Sequence, residues 1–379
     1  MDMKIEPFGV ELWMNEFEND CEFNLAETCV ASLTVNELLE LTGVGHDALA
    51  EIASMKLTYG AIEGSDRLRS AIAALYDSMT PDNTVVTHGA IGANKLVHET
   101  LVEPGDRVIS VQPTYQQHYS IPASYGADVQ ILQLRPENGF LPDLEELRSL
   151  ISASTKLIAI NNPNNPTGSL MGAPMLTAIG EIADTVGAWV LCDEVYRGTG
   201  QTGDGMSSSM ADLYERGIST GSMSKAFSLA GLRLGWIAGP TDLIEAVAFH
   251  RDYSTISVGM IDDYLATIAL EHAGLVLERS RSITRTNLQI LSDWVDGEAG
   301  ISWIKPHAGT TALLTYAADL PSREFCVRLL DETGVMFTPG SALAIEGTVR
   351  VGYANTSQVL QDGLPRVSEF LRTLELEHP

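Results

Sequence analysis

The segment Gly221-Ser222-Met223-Ser224-Lys225-Ala226-Phe227-Ser228-Leu229-Ala230-Gly231-Leu232-Arg233 sets one lysine among hydroxyl side chains in apolar, glycine-bounded surroundings. The chain has only six lysines, and Lys225 has no charged neighbour in sequence until Arg233. Desolvation and a nearby cation lower a lysine's pKa and free its amine as a nucleophile, which a Schiff-base lysine needs. A buried lysine paired with a carboxylate would look the same, and this segment alone does not separate the two. Three other groupings could do chemistry. Asn161-Asn162-Pro163-Asn164-Asn165-Pro166-Thr167-Gly168 is a rigid turn that presents amides, and Asp193-Glu194-Val195-Tyr196 sets a phenol three residues after a carboxylate. Thr87-His88-Gly89-Ala90-Ile91-Gly92 leads into a helical pattern over 93–101, and the exposed N–H groups of such a helix start attract an anion.

These groups must be carried by elements that bring them together. Short β-rich runs at 84–87, 107–111, 129–132, 156–160, 188–192 and 234–238 alternate with helical periodicity, as at 144–151 and 175–186. Apolar runs separated by ~10–15 residue helices predict an α/β fold with a mostly parallel sheet covered on both faces. Ligands bind beyond the carboxyl ends of the strands in such sheets, where the amide turn and the Asp193 segment fall. Further on the pattern becomes α+β. One long helical stretch at 260–295 precedes a strand at 310–314, a helix at 322–333, a strand at 348–352 and a helix at 357–375. The expected division is a large domain at 44–280 and a small domain made of 1–43 and 281–379. The Gly/Ser-rich 198–209 reads as a surface loop.

A length of 379 residues suits about two or three domains. With 45% hydrophobic and 19% charged residues, the chain is not disordered as a whole. Its 23 basic and 50 acidic residues give a net charge of −27, which repels phosphate backbones and anionic lipid, so neither nucleic acid nor membrane is expected as a partner. No apolar run approaches ~18 residues. The opening Met1-Asp2-Met3-Lys4 lacks the features of a signal peptide. Four cysteines without a CxxC pair argue against a disulfide framework, and eight histidines without HExxH spacing give no support to a metal site. The expectation is a cytoplasmic protein that handles small molecules.

The amide turn, the Asp193–Tyr196 segment and Ser222-Met223-Ser224-Lys225 with its Gly231-Leu232-Arg233 continuation occur in an order that resembles the class I/II aminotransferases. These are fold-type I pyridoxal-phosphate enzymes, and the resemblance runs from about Tyr59 to Arg350. It implies a large, mostly parallel PLP-binding domain with a smaller α+β domain, and pyridoxal 5'-phosphate as cofactor. It implies that Lys225 forms the Schiff base and shuttles the α-proton, that Asp193 faces the pyridinium nitrogen, and that Tyr196 and Asn165 hydrogen-bond the phenolic oxygen. By the same resemblance Tyr115 stacks on the cofactor ring, while Gly89, Ala90 and Ile91 at the helix start, with Ser222 and Arg233, hold the phosphate. Tyr59 matches the tyrosine that is donated to the neighbouring subunit's phosphate, which implies a homodimer with shared active sites. Arg350 matches the arginine that grips the substrate α-carboxylate. Taken by itself, Arg350 could also be an ordinary strand-end arginine.

Two motif matches are set aside. Gly198-Thr199-Gly200-Gln201-Thr202-Gly203 satisfies G-x-G-x-x-G but opens no apolar helix. Ser222-Met223-Ser224-Lys225 satisfies S-x-x-K without the S-D-N and K-T-G partners of the serine acyl-enzymes. The stretch Phe23-Asn24-Leu25-Ala26-Glu27-Thr28-Cys29 lacks the glycine and proline many relatives carry there, and is similar to the capreomycidine-synthase-like branch, whose members act on arginine derivatives. Glu27 could therefore pair with a cationic substrate side chain; it could equally be a solvated loop acid or a capping residue. Three readings follow. The first is an aminotransferase working on an L-α-amino acid and a 2-oxo acid. The second is a PLP lyase or cyclase acting at the β or γ carbon of an arginine-like amino acid. The third is a binding module that keeps the fold without turnover, against which the intact Lys225 argues.

Overall fold

A computed structural model describes residues 4–45 and 47–377. The first three residues, read above for a targeting signal, and the last two of the expected small domain lie outside the described residues.

The β-branched run Thr84–Thr87 and the apolar runs Arg107–Gln112, Asp128–Gln133, Thr155–Asn161 and Trp189–Asp193 all form strands. With Gly217–Ser222 and Gly235–Ala238 they build a seven-stranded sheet. Its spatial order is Thr84–Thr87, Gly235–Ala238, Gly217–Ser222, Trp189–Asp193, Thr155–Asn161, Arg107–Gln112, Asp128–Gln133. The last five run parallel, and Gly235–Ala238 is antiparallel to both its neighbours. The predicted α/β fold with a mostly parallel sheet is therefore observed.

Alternate residues of each strand feed opposite cores. Ile109, Ile158 and Ile160 pack with Leu176 and Ile179 of the helix Ala173–Asp184. Val108, Leu157 and Ile218 pack with Leu96 and Val97 of the helix Gly89–Leu101. Each such fully buried aliphatic side chain contributes roughly 1.5–3 kcal/mol.

Gly217–Ser222 is a strand that the sequence does not announce, because Gly-Ile-Ser-Thr-Gly-Ser has the composition of a turn. Its glycines answer to neighbours: a Cβ at Gly217 would meet Met210 O at 2.1 Å, and one at Gly221 would meet the Trp236 ring at 2.4 Å. Close packing overrides propensity here.

The C-terminal part carries a four-stranded antiparallel sheet, in the order Thr338–Pro339, Thr348–Gly352, Thr311–Tyr316, Ile301–Trp303. The N-terminal segment joins it. Phe23–Asn24 pairs in parallel with Val335–Met336, and Trp13 Nε1 donates to Phe337 O at 2.9 Å. Trp13 and Leu25 share one core with Phe325, Phe337 and Phe370.

The single helix expected at 260–295 is two, Met260–Glu271 and Ala273–Gly297. His272 between them leaves the helical region (φ −115°, ψ 29°), and its Nδ1 lies 2.9 Å from Ile268 O. The imidazole thus engages a helix carbonyl where the backbone ladder stops. Ala273–Gly297 runs from one core to the other: Val276 and Leu277 pack in the large body, Leu288, Leu291 and Val295 in the small one. A division at residue 280 falls inside this helix, and Leu38 and Leu39 pack with the large body.

Candidate active site

The carboxyl ends of the central strands, the helix Gly9–Phe17 and the turn at 24–29 enclose a cleft of about 430 Å³. Of the residues singled out from sequence, the cleft brings together Glu27, Ala90, Ile91, Tyr115, Asn165, Asp193, Tyr196, Ser222, Lys225, Arg233 and Arg350. Gly89 opens the helix that supplies Ala90 and Ile91. Tyr59 is not in the cleft; its side chain is 75% exposed.

Lys225 follows the strand Gly217–Ser222, and its Nζ donates to Thr28 Oγ1 at 2.6 Å and to Cys29 Sγ at 3.4 Å. Burial alone would lower its pKa, but Cys29, Tyr196 and Glu27 together raise it above the ordinary lysine range. Burial also pushes the Cys29 thiol and the Tyr196 phenol up, which keeps both uncharged near neutrality. Glu27 is then the neighbour that carries charge. Burial opposes its ionisation, yet the Lys225 charge and the bonds from Cys29 and Thr28 hold its carboxyl below the usual range. Glu27 Oε1 accepts from both Thr28 N and Cys29 N at 2.7 Å.

Asp193 ends its strand with its carboxylate buried. Oδ2 accepts from Asn94 Nδ2 at 2.8 Å and lies 3.6 Å from His118 Nε2, while Oδ1 accepts from Val195 N at 3.2 Å. Asn94 Oδ1 in turn accepts from Thr220 Oγ1 at 2.7 Å. Behind them the ring centroids of His118 and His98 are 6.0 Å apart, and neither ring nitrogen of either residue has a hydrogen-bond partner. Burial, helped by His118, pushes His98 down to about 3.

The helix that carries Asn94 supplies an anion cradle at its start. The helix Gly89–Leu101 begins there, and His88 before it makes no side-chain cap. Gly89 has φ +66°, and a Cβ on it would stand 3.1 Å from Arg233 Nη2. Arg233, itself left-handed at φ 48°, donates to Ala230 O at 2.9 Å. Uncapped N–H groups, a guanidinium and the Ser222 hydroxyl suit a phosphate dianion.

Arg350 stands in the strand Thr348–Gly352 and is 2% exposed. Its Nη1 donates to Asn165 Oδ1 at 3.2 Å, and its Nη2 to Thr338 Oγ1 at 3.1 Å and Ala26 O at 3.3 Å. Nε is buried with no hydrogen-bond partner among the described residues. A buried guanidinium held by neutral acceptors is costly and calls for an anion. Tyr115 packs against Phe8 and donates to Glu11 Oε1 at 3.0 Å.

Sequence reasoning missed Asn94, His118, Thr28 and Glu11 as parts of this constellation. Asn94 was findable, since an amide between Ala93 and Leu96 on the buried face of a helix needs a polar partner. His118 and Glu11 carry no local signal. Among the described residues no group of three or more His, Cys, Asp or Glu side chains is placed to hold a metal ion, and no helix is long and apolar enough to cross a membrane.

Residues 30–364 match the family described as aminotransferase class I and II. The chain is 30% identical to capreomycidine synthase of Streptomyces vinaceus over 96% of this chain and 93% of that protein. Among solved structures it is similar to a PLP-dependent aminotransferase from Streptococcus suis, with 43% identity, a TM-score of 0.95 and coverage of 98% and 99%. It is also similar to the PLP-dependent cyclase OrfR, with 25% identity, a TM-score of 0.89 and coverage of 98% and 99%. The site fits pyridoxal phosphate: a reachable lysine amine, a buried carboxylate, an uncapped helix start and a hydroxyl surround one cleft.

Proposed function

This chain belongs to the class I and II aminotransferases and is a PLP-dependent enzyme, and from that premise we propose that it moves an amino group between an L-α-amino acid and a 2-oxo acid with Lys225 as the reacting amine. The observation that carries this reading is Arg350, a buried guanidinium with an orphaned Nε in the cleft that holds Lys225. Its planar fork matches a substrate α-carboxylate, and gripping it would set the α carbon within reach of the lysine. When bound, pyridoxal phosphate supplies an aldehyde carbon for amines and a ring that draws electrons from the α carbon.

The protein's own groups do the rest. Asp193, fixed by Asn94, would hold a proton at the ring nitrogen with its negative charge. Asn165 and Tyr196 would hydrogen-bond the cofactor's phenolic oxygen, and Tyr115 would cover its ring and exclude water. The N–H groups of Gly89, Ala90 and Ile91, with Ser222 and Arg233, would anchor the phosphate. Lys225 would take the proton from the substrate α carbon and hand it to the carbon that the cofactor's aldehyde supplies. Tyr59, exposed on its own subunit, would complete the phosphate site of a second copy, which makes the working unit a homodimer.

A second reading is favoured by the acidic wall of the cleft, where Glu11, Glu18 and Glu27 face the substrate space. They suit a guanidinium side chain, with Glu27 offering the oxygen not bonded to its own turn. With relatives that include capreomycidine synthase and a cyclase, this supports lyase or cyclase chemistry on an arginine-like amino acid.

One titration separates the two. The PLP-loaded protein is mixed with single amino acids and no 2-oxo acid, arginine and its hydroxylated relatives first. Stoichiometric bleaching of the visible band that a 2-oxo acid reverses supports transamination. Repeated release of product with no acceptor present sinks it in favour of the second reading.

A further inference from the structure

The turn at 24–29 touches both the group that would hold the substrate α-carboxylate and the group that would act on its α carbon. Ala26 O accepts from Arg350 Nη2 at 3.3 Å, and two residues on Thr28 Oγ1 accepts from Lys225 Nζ at 2.6 Å. The turn is held firmly. Asn24 Oδ1 accepts from Ala26 N and Glu27 N at 3.0 and 2.9 Å, and Thr310 Oγ1 donates to Thr28 O at 2.7 Å. The strand that carries Arg350 presses against it, since a Cβ at Gly352 would come within 1.8 Å of Glu27 O. Thr28 is 9% exposed, so its hydroxyl is a desolvated partner for the amine.

We propose that Thr28 is a positioning residue for proton transfer: its hydroxyl oxygen holds the Lys225 amine at a fixed place over the cleft, in a turn that also fixes Arg350. This rests on the reading of Lys225 as the reacting amine. When Lys225 takes a proton from the substrate α carbon it becomes an ammonium, and one of its three N–H bonds points to Thr28 Oγ1. The same proton would later leave Nζ for the carbon that the cofactor's aldehyde supplies, and the amine would return to neutral. Thr28 keeps its own proton throughout, so no co-reactant is needed. Cys29, Tyr196 and Glu27 also face Lys225, and Tyr196 shares the Thr28 hydroxyl, which Thr28→Ser keeps for both. An acceptor on the ammonium favours the charged form, so losing the hydroxyl lowers the pH at which the amine becomes free.

The experiment compares Thr28→Val, which keeps the shape, with Thr28→Ser, which keeps the hydroxyl. The first readout is the rate at which cofactor-free protein captures added pyridoxal phosphate, followed by absorbance across pH. The midpoint should fall by about one pH unit in the valine variant and stay in place in the serine variant. The second is exchange of the α-hydrogen of a bound amino acid in deuterated water by the loaded enzyme. It should slow about tenfold with valine, at little change in KM, and recover with serine. Wild-type midpoint and exchange in Thr28→Val would overturn the proposal, as would a serine variant no better than valine. If the valine variant does not fold, Thr28→Ala takes its place with the same expectations. Covalent capture by Lys225→Ala would instead overturn the assignment of the lysine, a separate failure.

Discussion

Lys225 owes its setting to the turn at 27–29 and to Tyr196, and its removal tests the whole assignment. Lys225→Ala should abolish borohydride-fixable capture of pyridoxal phosphate; retained turnover would mean another lysine reacts. Asp193→Ala should leave Asn94 and His118 facing an empty position, weaken cofactor binding and lower turnover by at least about a hundredfold. That is read by dialysis-resistant absorbance and steady-state rates. His98 predicts a pH effect on stability. Its folded pKa of about 3 lies below the ordinary value of 6.5, so the unfolded chain binds more protons between these limits. Stability falls as the pH drops through that window, by up to about 1.4 kcal/mol per pH unit from this one group. In urea titrations between about pH 6 and 4, His98→Leu should show a slope smaller by that amount; an unchanged slope would refute the buried-neutral state. At this scale the sequence was informative where motif and strand end coincide, as at Asp193 and Asn165. It was silent on Thr28 and His118, because their partners lie about 197 and 75 residues away and no local pattern encodes such distances.

At the scale of elements, the helix Gly89–Leu101 matters most at its first turn. Gly89 serves two needs, a left-handed backbone and room beside Arg233. Gly89→Ala should strain the turn and displace the guanidinium. Cofactor affinity should fall about tenfold while the far-ultraviolet spectrum stays that of the wild type; unchanged affinity would show that the cradle is elsewhere. The strands with unbroken apolar runs were legible because both faces of a parallel sheet are buried. Gly217–Ser222 was not, since its small residues are dictated by Met210 and Trp236 above them. The break at His272 was equally hidden, because the apolar period runs on through it from Leu270 to Val276.

At the scale of the whole molecule, Tyr59 is one of several large apolar side chains left uncovered, with Phe249 at 72% and Tyr253 at 95%. Gly60 lies against Met260, so the Tyr59 segment is held in place rather than free-standing. If a second copy receives Tyr59, mixing inactive Lys225→Ala with Tyr59→Ala should rebuild intact sites. Random exchange of equal amounts would restore about a quarter of wild-type activity. Activity no higher than the sum of the separate variants would mean that each subunit works alone. The resemblance raised this arrangement, but composition and periodicity could not, because surface burial between copies leaves no periodic trace within one chain.

Trp13 Nε1 and Phe337 O are bonded across 324 residues of chain. A ribosome adding roughly 5–20 residues per second needs about 15–65 s to cover that stretch. Throughout that time the helix Gly9–Phe17, whose residues line the cleft, has only Phe17 beside its indole and no carbonyl for its N–H, while the seven-stranded sheet already has all its strands by residue 238. The nascent chain therefore passes through a long stage with its sheet translated and this wall of the cleft still without its C-terminal support.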